Sequence, residues 1–353
     1  MNQQVSHHHS QPVIITGMHR SGTSLTASIM QQAGVFVGDL LLPANTSNQQ
    51  GYFEDIDFLV LHENILKSQG ISNEGWLLTE PTEVPRPLYD QAINLCDSRL
   101  KNHALWGWKE PRTTLFLKFW KQLLPQAKFI FTYRSPWEVM DSLFTWGHAA
   151  FANNPNFAVQ IWIAYNQMIL RFYEQHPDDC FLFHCDLLKT DEAGFVEKVK
   201  HKFDIPLTIP AKPLFQPGDM HNQVNNTQRP ALLAVHFPAV IEVYQQLQQA
   251  ADVPTPQPLD HVVAADTAAV YQDWVLQDWY NSNRFSTELK KTQAELQAAQ
   301  TAATHWRLTV EAMEANRVWK LRNFWLRLKK QLRLMPQDEF LDQRDRPSED
   351  TTP

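Results

Sequence analysis

The 353-residue chain has only three cysteines, Cys96, Cys180 and Cys185, and no pair of them stands in a C-x-x-C spacing. That leaves no disulfide framework and no cysteine zinc site, and it points to a reducing compartment. Long apolar runs are lacking too. The opening MNQQVSHHHSQP has no apolar stretch of the signal-peptide kind, and no stretch of about 18 apolar residues follows that would span a bilayer, so a cytoplasmic protein is expected. Positive charge is in short supply: 31 Lys and Arg face 38 Asp and Glu, a net of −7, which argues against a surface built for nucleic acid. An anionic ligand must therefore meet a local basic site. No metal-ligand spacing occurs outside His7, His8 and His9, which sit in a polar leader expected to be unstructured, so no metal site is expected.

What the chain has is 43% hydrophobic residues, enough for a full-sized core. Val13-Ile14-Ile15-Thr16 reads as a buried strand ending at Gly17. Leu25, Ile29 and Ala33 then recur at helical spacing before Gly34, giving strand, tight loop, helix. Further strands are expected over Leu105–Trp108, Phe129–Tyr133 and Phe181–His184, with helices over Thr113–Leu124, Val159–Tyr173 and residues 231–250. This alternation predicts an α/β fold with a largely parallel sheet flanked by helices. Ser135, Pro136 and Glu138 read as a capping box that starts a helix right after Arg134. Ser286 to Leu334 contains neither Pro nor Gly and predicts a long helix, whose end from Arg317 to Arg333 holds seven basic residues and no acid. Val318, Leu321, Trp325, Leu328 and Leu332 form an apolar stripe there, suited to an anionic membrane surface, a partner helix or self-association through Arg317–Leu334.

Residues 17–24, Gly-Met-His-Arg-Ser-Gly-Thr-Ser, form a strand-to-helix loop whose N–H groups can hold a phosphate. A nucleotide triphosphatase loop would carry Lys at position 23, where this chain has Thr23, and its cation is instead Arg20. The string PVIITGMHRSGTSL resembles the 5′-phosphosulfate loop of sulfotransferases that use 3′-phosphoadenosine-5′-phosphosulfate (PAPS), in the Arg-Ser-Gly-Thr form of glycan and protein-tyrosine members. Tyr133-Arg134-Ser135-Pro136-Trp137-Glu138-Val139-Met140-Asp141-Ser142 resembles the family's 3′-phosphate segment, with Arg134 and Ser142 at the family's spacing.

The resemblance implies a P-loop-containing nucleotide-binding fold and transfer of a sulfonyl group from PAPS, without a metal, to a hydroxyl-bearing acceptor, most naturally a glycan. It implies that Gly17, Arg20, Ser21, Gly22, Thr23 and Ser24 hold the 5′-phosphate and Arg134 and Ser142 the 3′-phosphate. Arg20 would face the charge that grows on the leaving phosphate, and Lys109 the sulfonyl or bridging oxygen. In Trp108-Lys109-Glu110-Pro111-Arg112, Pro111 stands where cytosolic members have their His base. The base is therefore sought after the polar loop 44–50, with Glu54 favoured and Asp55 and Asp57 as rivals. Arg112 would contact cofactor or acceptor, or pair with Glu110. His184-Cys185-Asp186-Leu187 reads as structural, and Trp162 to Tyr165 as core or as packing near the adenine. The domains expected are a leader over 1–11, a sulfotransferase domain over 12–284, a long helix with a basic end over 285–335 and an acidic tail over 336–353. The alternatives are a P-loop kinase of a small molecule and a non-catalytic PAPS-binding protein.

Overall fold

The computed structural model describes residues 10–43, 51–81, 83–215, 228–255, 267–315 and 317–332. The polar loop 44–50, residues 1–9 of the expected leader and the acidic tail over 336–353 lie outside the described residues. The chain divides into two units, Met1–Gln272 and Asp273–Pro353.

Among the described residues, the first unit is built on four parallel strands, β1 (Gln11–Thr16), β2 (Leu105–Lys109), β3 (Lys128–Tyr133) and β4 (Cys180–His184), in the order β2-β1-β3-β4. The α/β expectation holds, and each predicted strand is found with one or two residues added at an end. β1 begins at Gln11, inside the expected leader, and Ser10 Oγ donates to the His103 carbonyl at 2.7 Å. β-Branched and aromatic residues alternate across the sheet and bury both faces. Ile14, Trp106, Trp108, Phe129, Phe131 and Leu182 pack on one side. Val13, Ile15, Ile130, Phe181 and Phe183 pack on the other. Gly107 lets β1 and β2 lie close, because a Cβ there would stand 1.7 Å from the Val13 carbonyl oxygen.

Among the described residues, the helices of this unit up to Ala250 are α1 (Thr23–Gln32), α2 (Ile56–Ser68), α3 (Arg86–Asn102), α4 (Leu117–Leu123), α5 (Pro136–Trp146), α6 (Ala149–Asn153), α7 (Pro155–Gln175), α8 (Leu187–Thr190), α9 (Glu192–Phe203), α10 (Gln228–His236) and α11 (Pro238–Ala250). Two expected helices are each interrupted. Residues 111–116 form a tighter 3₁₀ turn ahead of α4, and Pro238 opens a new helix after Phe237 where one helix over 231–250 was expected.

The capping box at Ser135 does not form. Ser135 is the N-cap and Pro136 the first helical residue, but no side chain caps α5. Ser135 Oγ lies 3.1 Å from the Tyr244 hydroxyl and 3.3 Å from His184 Nε2, and Glu138 accepts from Arg134 Nε at 3.1 Å. Both box residues are drawn to partners outside the pattern.

The long C-terminal helix starts earlier than the expected Ser286, inside a stretch free of Pro and Gly from Leu259 onward. α12 runs Thr267–Ala315 and α13 runs Arg317–Gln331. Among the described residues no helix is long and apolar enough to cross a membrane.

Candidate active site

β1 lies between β2 and β3, so the crossovers leave in opposite directions around it and open a crevice at the strands' C-terminal edge. The register sets Lys109 beside Ile15 and Tyr133 beside His184, which brings the loop after β1, Lys109 and Arg134 to one edge.

The loop after β1 needs its glycines. Gly17 (φ +154°) runs so close to β3 that a Cβ would stand 2.3 Å from the Thr132 carbonyl oxygen. Gly22, at φ +93°, is the N-cap of α1 in the left-handed region, and Arg20 adopts φ +67°. Thr132 Oγ1 donates to the Ser21 carbonyl at 3.1 Å, and Arg134 Nη1 donates to the Arg20 carbonyl at 3.3 Å, so β3 and the residue after it brace the loop. No side chain caps α1, which leaves its first-turn N–H groups without an internal acceptor, and the buried Ser21 hydroxyl has no partner among the described residues. Uncapped N–H groups and an orphaned hydroxyl at a helix N-terminus fit a phosphate.

The residues expected from the sequence gather in two clusters flanking this loop. In the first, buried Lys109 Nζ donates to Glu54 Oε1 (2.8 Å), the Tyr52 carbonyl (3.0 Å) and Ser24 Oγ (3.2 Å). Glu54 reaches Lys109 because its segment forms a parallel bridge with the end of β2. In the second, Arg20 Nε donates to Ser142 Oγ at 2.8 Å, beside the Arg134–Glu138 pair. Arg20 thus lies with the α5 residues, and Lys109 is the cation that lies with Ser24.

The two rivals of Glu54 are engaged elsewhere. Asp55 is the N-cap of α2, accepting from the Asp57 N–H at 2.9 Å, and Arg99 Nη2 reaches Asp55 at 3.1 Å and Asp57 at 2.8 Å. Burial pushes the Asp55 carboxyl upward against the pull of Arg99.

Glu110 is buried beneath this edge. Trp120 Nε1, which can only donate, donates to His62 Nε2 at 2.9 Å, so the His62 proton sits on Nδ1 and goes to Glu110 Oε2 at 2.8 Å. Arg112 Nη1 donates to Glu110 Oε1 at 2.6 Å. Burial would raise this carboxyl, but the Arg112 guanidinium and the His62 hydrogen bond hold it down at about 2. Arg112 therefore pairs with Glu110, and its Nε donates to the Asn73 carbonyl at 2.7 Å. Tyr165 donates to the Gly75 carbonyl at 2.5 Å, so these two side chains pin the segment 73–75. Trp162 and Tyr165 are core residues.

That segment carries a wall no sequence motif announced. The Trp76 ring lies 4.6 Å from His19, 4.8 Å from Phe151, 5.9 Å from His148 and 6.1 Å from half-exposed Trp146. Burial, helped by the Arg112 charge, lowers His19 to about 3, so its imidazole is neutral. His19 Nε2 and Trp76 Nε1 are both buried without a hydrogen-bond partner among the described residues. The signal available in the sequence was His19 itself, in the middle of the phosphate loop.

At the far side of β3, the Asp186 N–H donates to His184 Nδ1 at 3.2 Å, which puts the His184 proton on Nε2, facing Ser135 and Tyr244. Ser135, His184 and Asp186 thus resemble a nucleophilic triad but hold the opposite tautomer, and they tie β4 to α5 and α11.

Residues 12–208, more than half of the chain, match the sequence profile of the sulfotransferase family. The chain belongs to that family. It is a PAPS-dependent sulfotransferase with an α/β fold. Solved structures similar to it include sulfotransferase STF9 from Mycobacterium avium (14% identity, TM-score 0.42, covering 71% of this chain and 79% of that one). Two others are the sulfotransferase domain of the Synechococcus PCC 7002 olefin synthase (16%, 0.38, 78% and 98%) and a sulfotransferase from Alicyclobacillus acidocaldarius (12%, 0.40, 74% and 98%). No curated protein matches the sequence significantly.

Proposed function

We propose that this sulfotransferase acts on a hydroxyl of a carbohydrate acceptor, with Glu54 as general base and without a metal ion. The observation that carries the base assignment is the buried Glu54–Lys109 pair hydrogen-bonded to Ser24 at the start of α1. Bound at the loop, PAPS supplies the activated sulfonyl group. The N–H groups of Ser21 to Ser24, with Gly17 and Arg20, would hold its 5′-phosphate, and Arg134 and Ser142 its 3′-phosphate. Glu54 Oε1 is occupied by Lys109, and Oε2 takes the acceptor's proton. Lys109, held at Ser24, supplies fixed positive charge where negative charge develops, the task a metal performs in phosphoryl transfer, and Arg20 would join it there by exchanging its bond to Ser142 for the 5′-phosphate.

The carbohydrate reading draws support from the aromatic wall. An unpartnered indole N–H and an unpartnered neutral imidazole nitrogen in one cluster suit a ligand whose hydroxyls both accept and donate. The expected domain bounds remain part of the proposal, as does a cytoplasmic location with α13 contacting an anionic membrane surface. Nucleic acid is not among the partners proposed.

The test is transfer of labelled sulfonyl from PAPS, in excess chelator, to panels of glycans and of phenols. Label should enter glycans. Glu54→Gln should lower turnover by about 10²–10⁴-fold and leave affinity for 3′,5′-adenosine diphosphate unchanged. Transfer to phenols alone would remove the carbohydrate reading, and near-normal turnover of Glu54→Gln would remove the base assignment.

A further inference from the structure

From Leu289 onward, α12 repeats along one line in steps of three and four: Leu289, Thr292, Leu296, Ala299, Ala303, Trp306, Val310, Met313. Phe285, four residues before Leu289, keeps the same spacing. The large members stand in solvent: Leu289 is 58% exposed, Leu296 58%, Trp306 67%, Val310 48% and Met313 47%. An average step of 3.5 residues differs from the 3.6 of a straight helix. A stripe with that period stays in register only against a second helix that winds around it. A helix packed on a globular core carries a wider, drifting face instead.

The residues bordering the stripe fit self-pairing. Glu295, Ala302 and Thr309 on one flank and Gln293, Gln300 and Arg307 on the other border the stripe, so a copy of the same helix meets no row of like charges in either direction. A second copy also brings a stripe of equal length and period. The 15-residue α13 is too short to cover it.

We propose that the protein self-associates as a two-fold dimer through a coiled coil formed by residues 289–313 of α12 and the same residues of a second copy. Leucine, tryptophan, valine and methionine fill the seam toward its ends, while Thr292, Ala299 and Ala303 leave thinner layers. The seam lies ahead of Arg317–Leu334, the segment whose composition first pointed to self-association.

Sedimentation equilibrium of the full-length chain tests this. The wild type should sediment at twice the mass of one chain. Leu296→Glu combined with Val310→Glu should sediment as a monomer and bind 3′,5′-adenosine diphosphate with unchanged affinity, which shows that the nucleotide-binding unit is folded. Leu308→Glu is the matched control, since Leu308 is equally exposed but lies off the seam, and it should remain a dimer. If the double glutamate variant does not fold, Leu296→Ala with Val310→Ala should raise the dimer dissociation constant by more than about a hundredfold. A monomeric wild type, a dimer that persists in the seam variants, or disruption by Leu308→Glu equal to theirs would overturn the proposal.

Discussion

Arg134 is buried at the end of β3, yet its guanidinium is anchored on both sides, to the Glu138 carboxylate and to the Arg20 carbonyl. Such anchoring fixes a planar fork in advance, so less side-chain freedom is lost when a phosphate arrives. Arg134→Ala is expected to weaken PAPS binding by about 1.5–3 kcal/mol and to leave adenosine 5′-phosphosulfate, which lacks the 3′-phosphate, much less affected. Calorimetry on both ligands is the measurement, and equal losses would place Arg134 away from the 3′-phosphate. At this scale the sequence named candidate residues without their partners. The family resemblance and the place after the polar loop pointed to Glu54, with Asp55 and Asp57 as rivals. Only the fold shows that Arg99, far along the chain on α3, occupies the two aspartates. Likewise nothing in the sequence of the loop reveals that Arg20 turns toward Ser142, because that contact joins residues from separate strand–helix units.

Strands were the most legible elements because each is a short β-branched or aromatic run buried on both faces, a pattern with few other readings. Helix ends were less legible. Ser135 and Glu138 have the spacing of a capping box, but a hydroxyl beside a buried Tyr244 and a carboxylate beside Arg134 find stronger partners there. The heptad stripe of α12 was hidden for a different reason. Its small and polar members, Thr292, Ala299 and Ala303, break the visual run of apolar letters, and only the described helix fixes which residues share a line. The charged residues of α13 are all cations. Leu321, Phe324, Trp325, Leu328 and Leu332 are exposed, and Lys320, Arg322, Arg327 and Lys329 border them. With anionic vesicles the full-length protein should float, and with neutral vesicles or after truncation at residue 316 it should not. Equal flotation of the truncated chain would remove α13 as the contact.

Across the first unit, the titratable groups held out of water set how the fold responds to acid. Burial lowers His184 to about 4 and His19 to about 3, both below the ordinary 6.5, so the folded protein keeps them neutral while the unfolded chain protonates them. Stability is therefore full above about pH 6.5 and is lost as pH falls toward 4, with each such histidine contributing a slope of about 1.4 kcal/mol per pH unit within that window. For His184 the whole window amounts to something on the order of 3 kcal/mol. Glu110 acts in the same direction at lower pH. Held at about 2 against an ordinary 4.5, it stabilises the fold above 4.5 and loses that contribution as pH drops toward 2. Urea midpoints at pH 7.5, 6.0, 5.0 and 4.0 should accordingly fall steadily below about 6.5. His184→Gln lowers the starting stability, since it disturbs the contacts to Ser135 and Tyr244, but it should flatten the slope between pH 6.5 and 4 relative to wild type. A slope that His184→Gln leaves unchanged would mean that His184 protonates equally in folded and unfolded chains, and that the tautomer fixed by the Asp186 N–H is not what holds β4 to α5.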